Sequence, residues 1–265
     1  MRSSEKFYTA IRAISIKEAK FFQSTASTNQ IALEWLQGGA PDGAIVFADH
    51  QSSGRGRFDR QWITEPGSAI ALSIIVRPST QEADYLPLFS PLAAIALVDI
   101  LESQFHINAE IKWPNDVLIQ RSKTSGILTE TVWRGAQIVG LVVGIGVNVF
   151  SSSIPPKDFL KFPATCLQNH TSLQIDRYAL VAQLIRSFNQ YRITIGSVEF
   201  MNRWQNLLAF RGEKVYIKQK DGNIQLSGIL KGITITGDLE IQTEDNQIKS
   251  ITAGDVHLRP AEPEN

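Results

Sequence analysis

The sequence predicts an α+β protein, in which a mixed β-sheet flanked by helices is followed by a small C-terminal β-barrel. Two observations support this class. Apolar, partly β-branched runs alternate with amphipathic helical patterns as far as residue 208, whereas short β runs separated by turns dominate from residue 214 onward. The length of 265 residues allows one large domain and one small one. We therefore expect a larger domain over residues 1–210 and a smaller one over residues 211–265.

The first predicted helix carries its own start and stop signals. Ser27 followed three residues later by Gln30 matches a capping box, and the Gly38-Gly39 pair is a plausible end. A later helix begins less clearly, because Ser90-Pro91 also offers an N-cap and a first helical residue inside the apolar pattern. Up to residue 149 the predicted elements are a helix over 28–37, strands over 44–48 and 69–76, a helix over 86–105, and strands over 110–113, 117–119, 126–133 and 138–149.

The predicted secondary structure changes near Phe210, from amphipathic helices to short strands. Two more amphipathic helices are predicted over 177–191 and 200–208, and short strands follow over 215–217, 224–230 and 239–242. Asp221-Gly222 lies between two of these strands and is typical of a hairpin turn. About fifty residues of closely spaced short strands favour a small barrel appended to the larger domain.

Composition and charge narrow the class of protein. Lys and Arg number 26 against 26 Asp and Glu, so an arginine-rich segment is better explained by a discrete ligand than by a general polyanion. No apolar run approaches the roughly 18 residues of a membrane span, and the N-terminal segment lacks the apolar core of a secretory signal. We therefore expect no membrane partner and a cytoplasmic location.

The single cysteine, Cys166, cannot form an internal disulfide, which fits a reducing compartment. His170 lies four residues on and makes a catalytic thiol conceivable, but burial of Cys166 as a small apolar side chain is the favoured interpretation. CxxC and HExxH spacings are missing from the sequence, which makes a zinc site improbable.

The segment Gln51–Trp62 is the most informative part of the sequence. It contains Gly54-Arg55-Gly56-Arg57 and then Arg60. Glycine lets the backbone approach a ligand closely, and arginine offers a planar fork of donors for carboxylate and phosphate oxygens. The segment predicts an anion-binding site, although similar runs also occur in flexible nucleic-acid-binding tails.

Three further segments carry polar groups at strand ends. Lys112–Asp116 (Lys-Trp-Pro-Asn-Asp) reads as a turn that also gathers a cation, an amide and a carboxylate. Asp116 with Asn115 could hold magnesium, and Lys112 could contact phosphate. The next segment contains Lys123, a cation, and Gly126, which permits close approach of the backbone to a ligand. The glycine-interrupted strand 142–149, which ends near Asn148, lacks the third glycine and the following helix of a dinucleotide-binding fingerprint; its glycines favour a ligand pressed against the backbone.

These segments, in this order, resemble those of the biotin protein ligase family. The resemblance is strong from about residue 26 to residue 208 and weaker through Arg259, and five motifs in order are far more specific than any one of them. One departure is Asp59, where the family commonly has a glycine. The matching residues are Ser27-Thr28-Asn29, Gln51, Gly54-Arg55-Gly56-Arg57, Arg60, Trp62, Lys112-Trp113-Pro114-Asn115-Asp116, Lys123, Gly126-Ile127-Leu128 and Gly144-Ile145-Gly146-Val147-Asn148.

The resemblance implies an ATP-dependent ligase with an SH3-like C-terminal domain. Such an enzyme joins biotin and ATP into biotinyl-5′-AMP, with release of pyrophosphate. It then transfers biotin to a lysine of a carrier protein, typically the biotin carboxyl carrier protein of acetyl-CoA carboxylase. The larger domain would bind biotin, ATP and Mg²⁺, and the protein would be a monomer or a homodimer. Only 26 residues precede Ser27, fewer than the roughly 60 of a winged helix, so no DNA binding is expected.

Site residues follow from the same resemblance. Arg57 and Lys123 are the expected catalytic pair; with Arg55 they would contact the biotin carboxylate and the α-phosphate. Ser27, Thr28, Asn29 and Gln51 would bind the ureido ring, and Trp62 would offer an aromatic wall to adenine. The full biotin set is Ser27, Thr28, Asn29, Gln51, Gly54, Arg55, Gly56, Arg57, Lys123 and Gly126. The ATP set is Arg60, Trp62, Lys112, Asn115, Asp116, Asn148 and Arg259, with Asp116 also a magnesium ligand.

Two rival interpretations remain. Lipoate or octanoate transfer is the nearest, because those enzymes are similar in fold, but they lack the paired Gly-Arg-Gly-Arg and Lys-Trp-Pro-Asn-Asp motifs. A non-enzymatic nucleic-acid binder would use the arginine loop and the terminal barrel; the balanced charge and the lack of an aromatic RNA-binding motif in the sequence argue against it.

Overall fold

A seven-stranded mixed sheet forms the larger part of the protein, in a computed structural model that describes residues 2–14, 16–63, 65–160, 162–218, 224–252 and 257–260. The strands, in their order across the sheet, are β1 (Ala19–Phe22), β2 (Ile45–Ala48), β5 (Ala69–Val76), β9 (Gln137–Asn148), β8 (Ser122–Arg134), β7 (Asp116–Ile119) and β6 (Glu110–Lys112). Only β1 and β2 run parallel; every other pair in this sheet is antiparallel. A separate two-stranded hairpin joins β3 (Gly54–Arg55) to β4 (Gln61–Trp62). The mixed sheet of the prediction is confirmed.

In the part of the chain that the structure describes, the α-helices beside the sheet are α1 (Ser3–Ile11), α2 (Thr28–Gln37), α3 (Phe89–Phe105), α4 (Arg177–Ile193) and α5 (Val198–Asn206). The bounds of α2 agree with the prediction. Its N-cap Ser27 accepts from the backbone N–H of Gln30, while the Gln30 side chain donates to Glu34 instead of closing the capping box. The helix predicted from residue 86 begins at Phe89, because a 3-10 turn over Glu82–Leu88 contains a proline and precedes it.

Helix α3 is the centre of the main core. Every residue from Leu92 to Val98 is buried, and the helix packs against α4 on one side and the sheet on the other. Within the described residues, the segment Glu82–Phe105 is long and apolar enough to cross a membrane by composition, with a mean hydropathy of 1.6 over its most apolar window. Burial inside the fold explains that composition, because a helix surrounded by other elements is apolar on all faces.

Two elements near the N-terminus were not predicted. Strand β1 has only four residues and helix α1 only nine, so each is too short to give a strong periodic pattern. They are held by tertiary contacts: the Phe7 ring stacks on Phe47 of β2 with centroids 5.1 Å apart, and Phe21 packs beside both rings.

The C-terminal region forms a five-stranded antiparallel sheet. Its order is β13 (Ile248–Ile251), β12 (Leu239–Gln242), β11 (Ile224–Ile233), β10 (Lys214–Lys218) and β14 (His257–Pro260). Among the described residues the edge strands β13 and β14 are not paired with each other, so this part of the chain forms an open sheet where a barrel was predicted. The predicted turn at Asp221-Gly222 lies outside the described residues.

The two sheets are joined by direct contacts. Ile111 of β6 donates to the Leu207 carbonyl at 2.7 Å and accepts from Ala209 at 3.0 Å. The Trp113 indole N–H donates to the carbonyl of Gly237, between β11 and β12, at 3.0 Å. The chain segment between the sheets therefore pairs with β6, the last strand of the large sheet, before the second sheet begins.

Candidate active site

Most of the predicted site residues surround one cavity on the face of the large sheet. It lies between the N-terminus of α2, the segment containing β3 and β4, and the turn between β6 and β7. Asn148 lines an adjoining cavity that shares Trp62, Lys112, Asp116 and Lys123 with the first. The Arg259 side chain lies outside the described residues. The predicted residues around the first cavity are Ser27, Thr28, Asn29, Gln51, Arg55, Gly56, Arg57, Arg60, Trp62, Lys112, Asn115, Asp116, Lys123 and Gly126.

Two rows of residues across the sheet form the cavity floor. In one row, Ser73, Gly144 and Leu128 are cross-strand neighbours, and a Cβ on Gly144 would lie 2.1 Å from Asn29 Oδ1. Since such an approach is impossible, glycine is what lets Asn29 lie directly on the strand.

The second floor row carries an aromatic ring. Ala71, Gly146 and Gly126 are cross-strand neighbours, and a Cβ on Gly146 would lie 2.5 Å from Cε2 of Trp62. The Trp62 indole therefore packs directly against the backbone of Gly146. Its buried Nε1 has no protein partner within the described residues. The predicted close approach at this glycine-interrupted strand is realised by side chains of the protein itself.

Amide groups converge at one end of the cavity. Asn29, which is 4% exposed, donates through Nδ2 to the Leu128 carbonyl at 3.2 Å and to Glu130 at 2.8 Å, and its Oδ1 accepts from Ser73 at 2.6 Å. Both Asn29 N–H bonds are therefore used inside the protein, which leaves an acceptor lone pair for a ligand. Gln51 Oε1 accepts from the Thr28 backbone N–H at 2.7 Å, which leaves its Nε2 group to donate.

Sequence reasoning missed Ser73 and Glu130, which hold this end together. The signal for Ser73 was present, because it is a polar residue inside the otherwise apolar strand β5 and is fully buried. Glu130 lies one alternation beyond Leu128 on β8, so the two side chains share the cavity face. The alternation of side chains along both strands would have predicted that Ser73 and Glu130 face the cavity.

Cations gather at the other end around Asp116. Its two carboxylate oxygens lie 2.6 Å from Lys123 Nζ and 3.6 Å from Lys112 Nζ, and the side chains of Asp116 and Lys112 are nearly buried. Arg57 donates to Asn115 Oδ1 at 3.3 Å, and Asn115 Nδ2 donates to the Ile127 carbonyl at 2.8 Å. Asp116 thus holds two lysines at this end of the cavity, and the neighbouring Asn115 holds an arginine.

This arrangement does not fit the expectation that Asp116 is a magnesium ligand. A divalent cation bound to its oxygens would stand beside two ammonium groups, and Coulomb repulsion in a nearly buried position opposes that. Magnesium also prefers several oxygen ligands, and the described residues contain no cluster of three His, Cys, Asp or Glu able to hold a metal. Asp116 instead compensates the charge of the lysines.

Arg55 lies apart from this cluster in its contacts. Its Nη2 lies 2.8 Å from both oxygens of Glu130, beside Asn29. The β3–β4 hairpin that carries Arg55 turns at Phe58, which has a φ of 58° and a ψ of 45°. This left-handed position lies one residue before Asp59, where the family commonly has glycine. The Asp59 side chain is outside the described residues.

A buried ion pair anchors the base of the same loop. Arg177 at the start of α4 donates to Asp49 Oδ1 at 2.8 Å and to the Ala69 carbonyl at 2.7 Å, and the Tyr178 hydroxyl also donates to Asp49. The Asp49 carbonyl accepts from Gly67 at 3.0 Å. Both ends of the segment between β2 and β5 are therefore fixed, although its middle extends over the cavity.

Cys166 is fully buried, as expected of a small apolar side chain. Its Sγ lies 3.9 Å from Ser151 Oγ, while His170 Nε2 is 2.7 Å from Thr165 Oγ1. Burial also lowers the pKa of His170. The two residues do not form a thiol–imidazole pair.

Comparison with known proteins agrees with the motifs and the fold. The Biotin/lipoate A/B protein ligase family matches residues 21–148, and the biotin protein ligase C-terminal domain matches residues 211–259. The Bifunctional ligase/repressor BirA of Bacillus spizizenii is 34% identical over 88% of this chain and 71% of its own length. The Biotin–[acetyl-CoA-carboxylase] ligase of Paracoccus denitrificans is 32% identical over 81% of this chain and 90% of its own length.

A solved structure extends the likeness to three dimensions. The biotin protein ligase from Aquifex aeolicus in complex with biotin and ATP superimposes with a TM-score of 0.79 and 27% identity, over 93% of this chain and 100% of that one. The sequence matches and this structural agreement cover both sheets. The chain therefore belongs to the biotin/lipoate A/B protein ligase family, in the biotin protein ligase form with its C-terminal domain.

Proposed function

We propose that this protein activates biotin with ATP to biotinyl-5′-AMP and then transfers biotin to a lysine of a biotin carboxyl carrier protein. The observation that carries the proposal is the polarity of one cavity. Amide groups with a free acceptor and a free donor lie at one end, and Arg57, Lys112 and Lys123 lie around Asp116 and Asn115 at the other. Biotin has the same two ends, a ureido ring and a carboxylate.

The amide end matches the ureido ring. A ureido group presents one carbonyl oxygen between two N–H groups. Gln51 Nε2 can donate to that oxygen, and Asn29 Oδ1 can accept from one N–H, because their remaining groups are engaged within the protein. Thr28 and Ser27 support this end, Thr28 through Gln51 and Ser27 as the N-cap of α2.

The cationic end suits the adenylation step. A carboxylate oxygen of biotin forms a bond to the α-phosphorus of ATP while the bond to the leaving pyrophosphate breaks. Two anions must approach each other, and preorganised cations lower the barrier by stabilising the charge that develops. Lys123 and Arg57 are the proposed catalytic groups, with Arg60, Lys112 and Asn115 toward the phosphates. Asp116 holds the lysines in place until the ligand anions replace it as their partner.

The adenine side is proposed at Trp62. Its ring lies against Gly146, and Lys123 Nζ is 5.8 Å from the ring centroid, so the base and the phosphates would meet neighbouring groups. Asn148 is a weaker candidate, since its Nδ2 already donates to the Thr165 carbonyl at 3.1 Å. Arg259 remains a prediction. We propose that magnesium accompanies the ATP phosphates and is not held by Asp116, whose oxygens face Lys112 and Lys123.

In the transfer step a carrier lysine amine attacks the carbonyl carbon of the mixed anhydride, the amide bond forms, and AMP leaves with the bonding electron pair. The β3–β4 loop would shield the adenylate from water until the lysine arrives. We propose that residues 1–210 carry this chemistry and that residues 211–265 assist it. We further propose that the protein is a cytoplasmic monomer or homodimer.

Biotin-dependent pyrophosphate release tests the proposal. The purified protein is incubated with ATP and, separately, with biotin, lipoate or octanoate, and pyrophosphate is measured. We expect pyrophosphate release with biotin but not with lipoate or octanoate. Labelled biotin should then be transferred to a purified carrier domain. Release with lipoate or octanoate but not biotin would replace this function with its nearest rival.

A further inference from the structure

Glu130 is an acidic side chain that contacts both Asn29, at the cavity floor, and Arg55, in the overlying loop. It lies on β8, two positions beyond Leu128, and its side chain is 27% exposed. One oxygen accepts from Asn29 Nδ2 at 2.8 Å, and both oxygens lie 2.8 Å from Arg55 Nη2. No role at the site follows from the family motifs, because Glu130 lies outside them.

The contact to Asn29 decides which atom of that amide faces the ligand. An asparagine amide can rotate by half a turn, which exchanges a donor for an acceptor. Glu130 can only accept while it is ionised, and the Leu128 carbonyl can only accept. Nδ2 must therefore point toward both, and Oδ1 toward Ser73 and the cavity.

The contact to Arg55 connects this orientation with the loop. Arg55 lies in β3 and its side chain is 42% exposed, so an isolated surface pair here would contribute little. Here the same carboxylate holds a buried amide. The guanidinium compensates the charge that Glu130 brings to the edge of a mostly neutral end of the cavity, and it fixes the carboxylate that orients Asn29.

We propose that Glu130 is a positioning residue for biotin: it orients the Asn29 carbonyl oxygen toward the ureido N–H, and Arg55 acts on biotin binding through Glu130. This inference rests on the proposed biotin site. It also reassigns Arg55 from the biotin carboxylate to the ureido end of the cavity.

Glu130→Gln is the sharpest single change. Glutamine keeps the size of the side chain but can also donate, so it removes the charged one of the two acceptors that fix the Asn29 amide and leaves only the longer bond to the Leu128 carbonyl; it also weakens the pairing with Arg55. We expect the KM for biotin to rise about 10-fold, since a charge-assisted hydrogen bond that orients the ligand's partner is lost. The KM for ATP and the kcat at saturating biotin are expected to stay within about twofold, because the contact is part of ground-state biotin binding.

Glu213→Gln is the matched control. Glu213 makes a similar exposed pair with Arg121, at 2.6 and 2.9 Å, and lines none of the cavities described above. Its loss should leave the KM for biotin unchanged, and both variants should have similar melting temperatures. A biotin KM for Glu130→Gln within twofold of the control, or a parallel rise in the KM for ATP, overturns the proposal.

A double-mutant cycle of Glu130→Gln with Arg55→Gln tests the second part of the proposal, that Arg55 acts on biotin binding through Glu130. If Arg55 acts through Glu130, the biotin KM of the double variant is no higher than that of Glu130→Gln. Multiplying effects, or a lower kcat for Arg55→Gln, would show that Arg55 contacts the ligand independently. If Glu130→Gln does not fold, Arg55→Gln alone tests the proposal, and we then expect a raised biotin KM at unchanged kcat.

The wild-type protein separates this inference from the proposed function. A wild-type protein without biotin-dependent pyrophosphate release would remove the proposed function as well, whereas an active wild type with insensitive variants removes only this inference.

Discussion

Substitution of two glycines on strand β9 should weaken the binding of the two substrates separately. Gly144 supports Asn29 and Gly146 supports Trp62, and both residues point to the same face of β9. We predict that Gly144→Ala raises the KM for biotin and that Gly146→Ala raises the KM for ATP. Since the substitutions are chemically identical and two residues apart, any general damage to the strand is common to both.

The size of the effect follows from the contact distances. A Cβ at position 144 would lie 2.1 Å from Asn29 Oδ1 and 2.7 Å from its Cγ, whereas real contacts of this kind stay above 3.0 Å. The amide must therefore move by roughly 1 Å, which breaks the 2.6 Å bond from Ser73 and disturbs the ligand's acceptor. A lost hydrogen bond contributes about 1 kcal/mol and the strain about as much again, so we expect a rise in the KM for biotin of about 10- to 100-fold.

At position 146 the added methyl group would lie 2.5 Å from the Trp62 ring. The indole must tilt away from the sheet, and we expect the KM for ATP to rise about 10-fold because a stacking surface is misplaced. Initial rates of pyrophosphate release, measured with one substrate varied and the other saturating, give both constants.

Gly228→Ala is the control for strand damage. Its Cβ would lie 2.3 Å from the Gln242 carbonyl in the C-terminal sheet, so it should lower the melting temperature without changing either KM. The reasoning is refuted if the two β9 variants raise both KM values equally, or if Gly144→Ala leaves the KM for biotin unchanged.

Three further predictions concern the cations and the loop. Arg57→Ala and Lys123→Ala should each lower the rate of adenylation by about 100-fold at an unchanged melting temperature, since a donor to a developing oxyanion contributes about 3 kcal/mol; near-normal biotin-dependent pyrophosphate release in either variant would contradict this. Hydrogen exchange in the Gln51–Trp62 segment should slow when biotin and ATP are added, and equal exchange in both states would argue against a closing loop. Arg177→Ala should lower the free energy of unfolding in urea by about 3 kcal/mol or more because it leaves the buried Asp49 carboxylate without its cation; adding Asp49→Asn should recover part of that loss, and a wild-type-like midpoint would show the pair to be dispensable.

Local patterns were enough to predict the elements that carry the site. The capped helix α2, the apolar strand β5 and the glycine-interrupted strand β9 each have a signal within a few residues of sequence, and each forms where it was predicted. Most of the polar residues that the family motifs predicted line one cavity.

Long-range partners could not be predicted in the same way. The sequence predicts Asp116 as a metal ligand, but the fold places Lys112 and Lys123 beside its two oxygens. Whether a carboxylate binds a cation from solvent or one from the chain depends on neighbours that only the folded sheet brings together. The same holds for Glu130, whose partners lie 75 and 101 residues away in sequence.

The bond from the Trp113 indole to Gly237 has a consequence for how the protein loses its structure. Trp113 is 1% exposed and belongs to the turn that carries Asn115 and Asp116, whereas Gly237 belongs to the second sheet, where it also packs closely against Trp204. If the second sheet separated, a buried indole N–H would lose its acceptor at the base of the catalytic turn. Heating or denaturant should therefore abolish substrate binding and melt the C-terminal strands in one cooperative transition, even though the two sheets have separate strands and separate hydrogen-bond ladders.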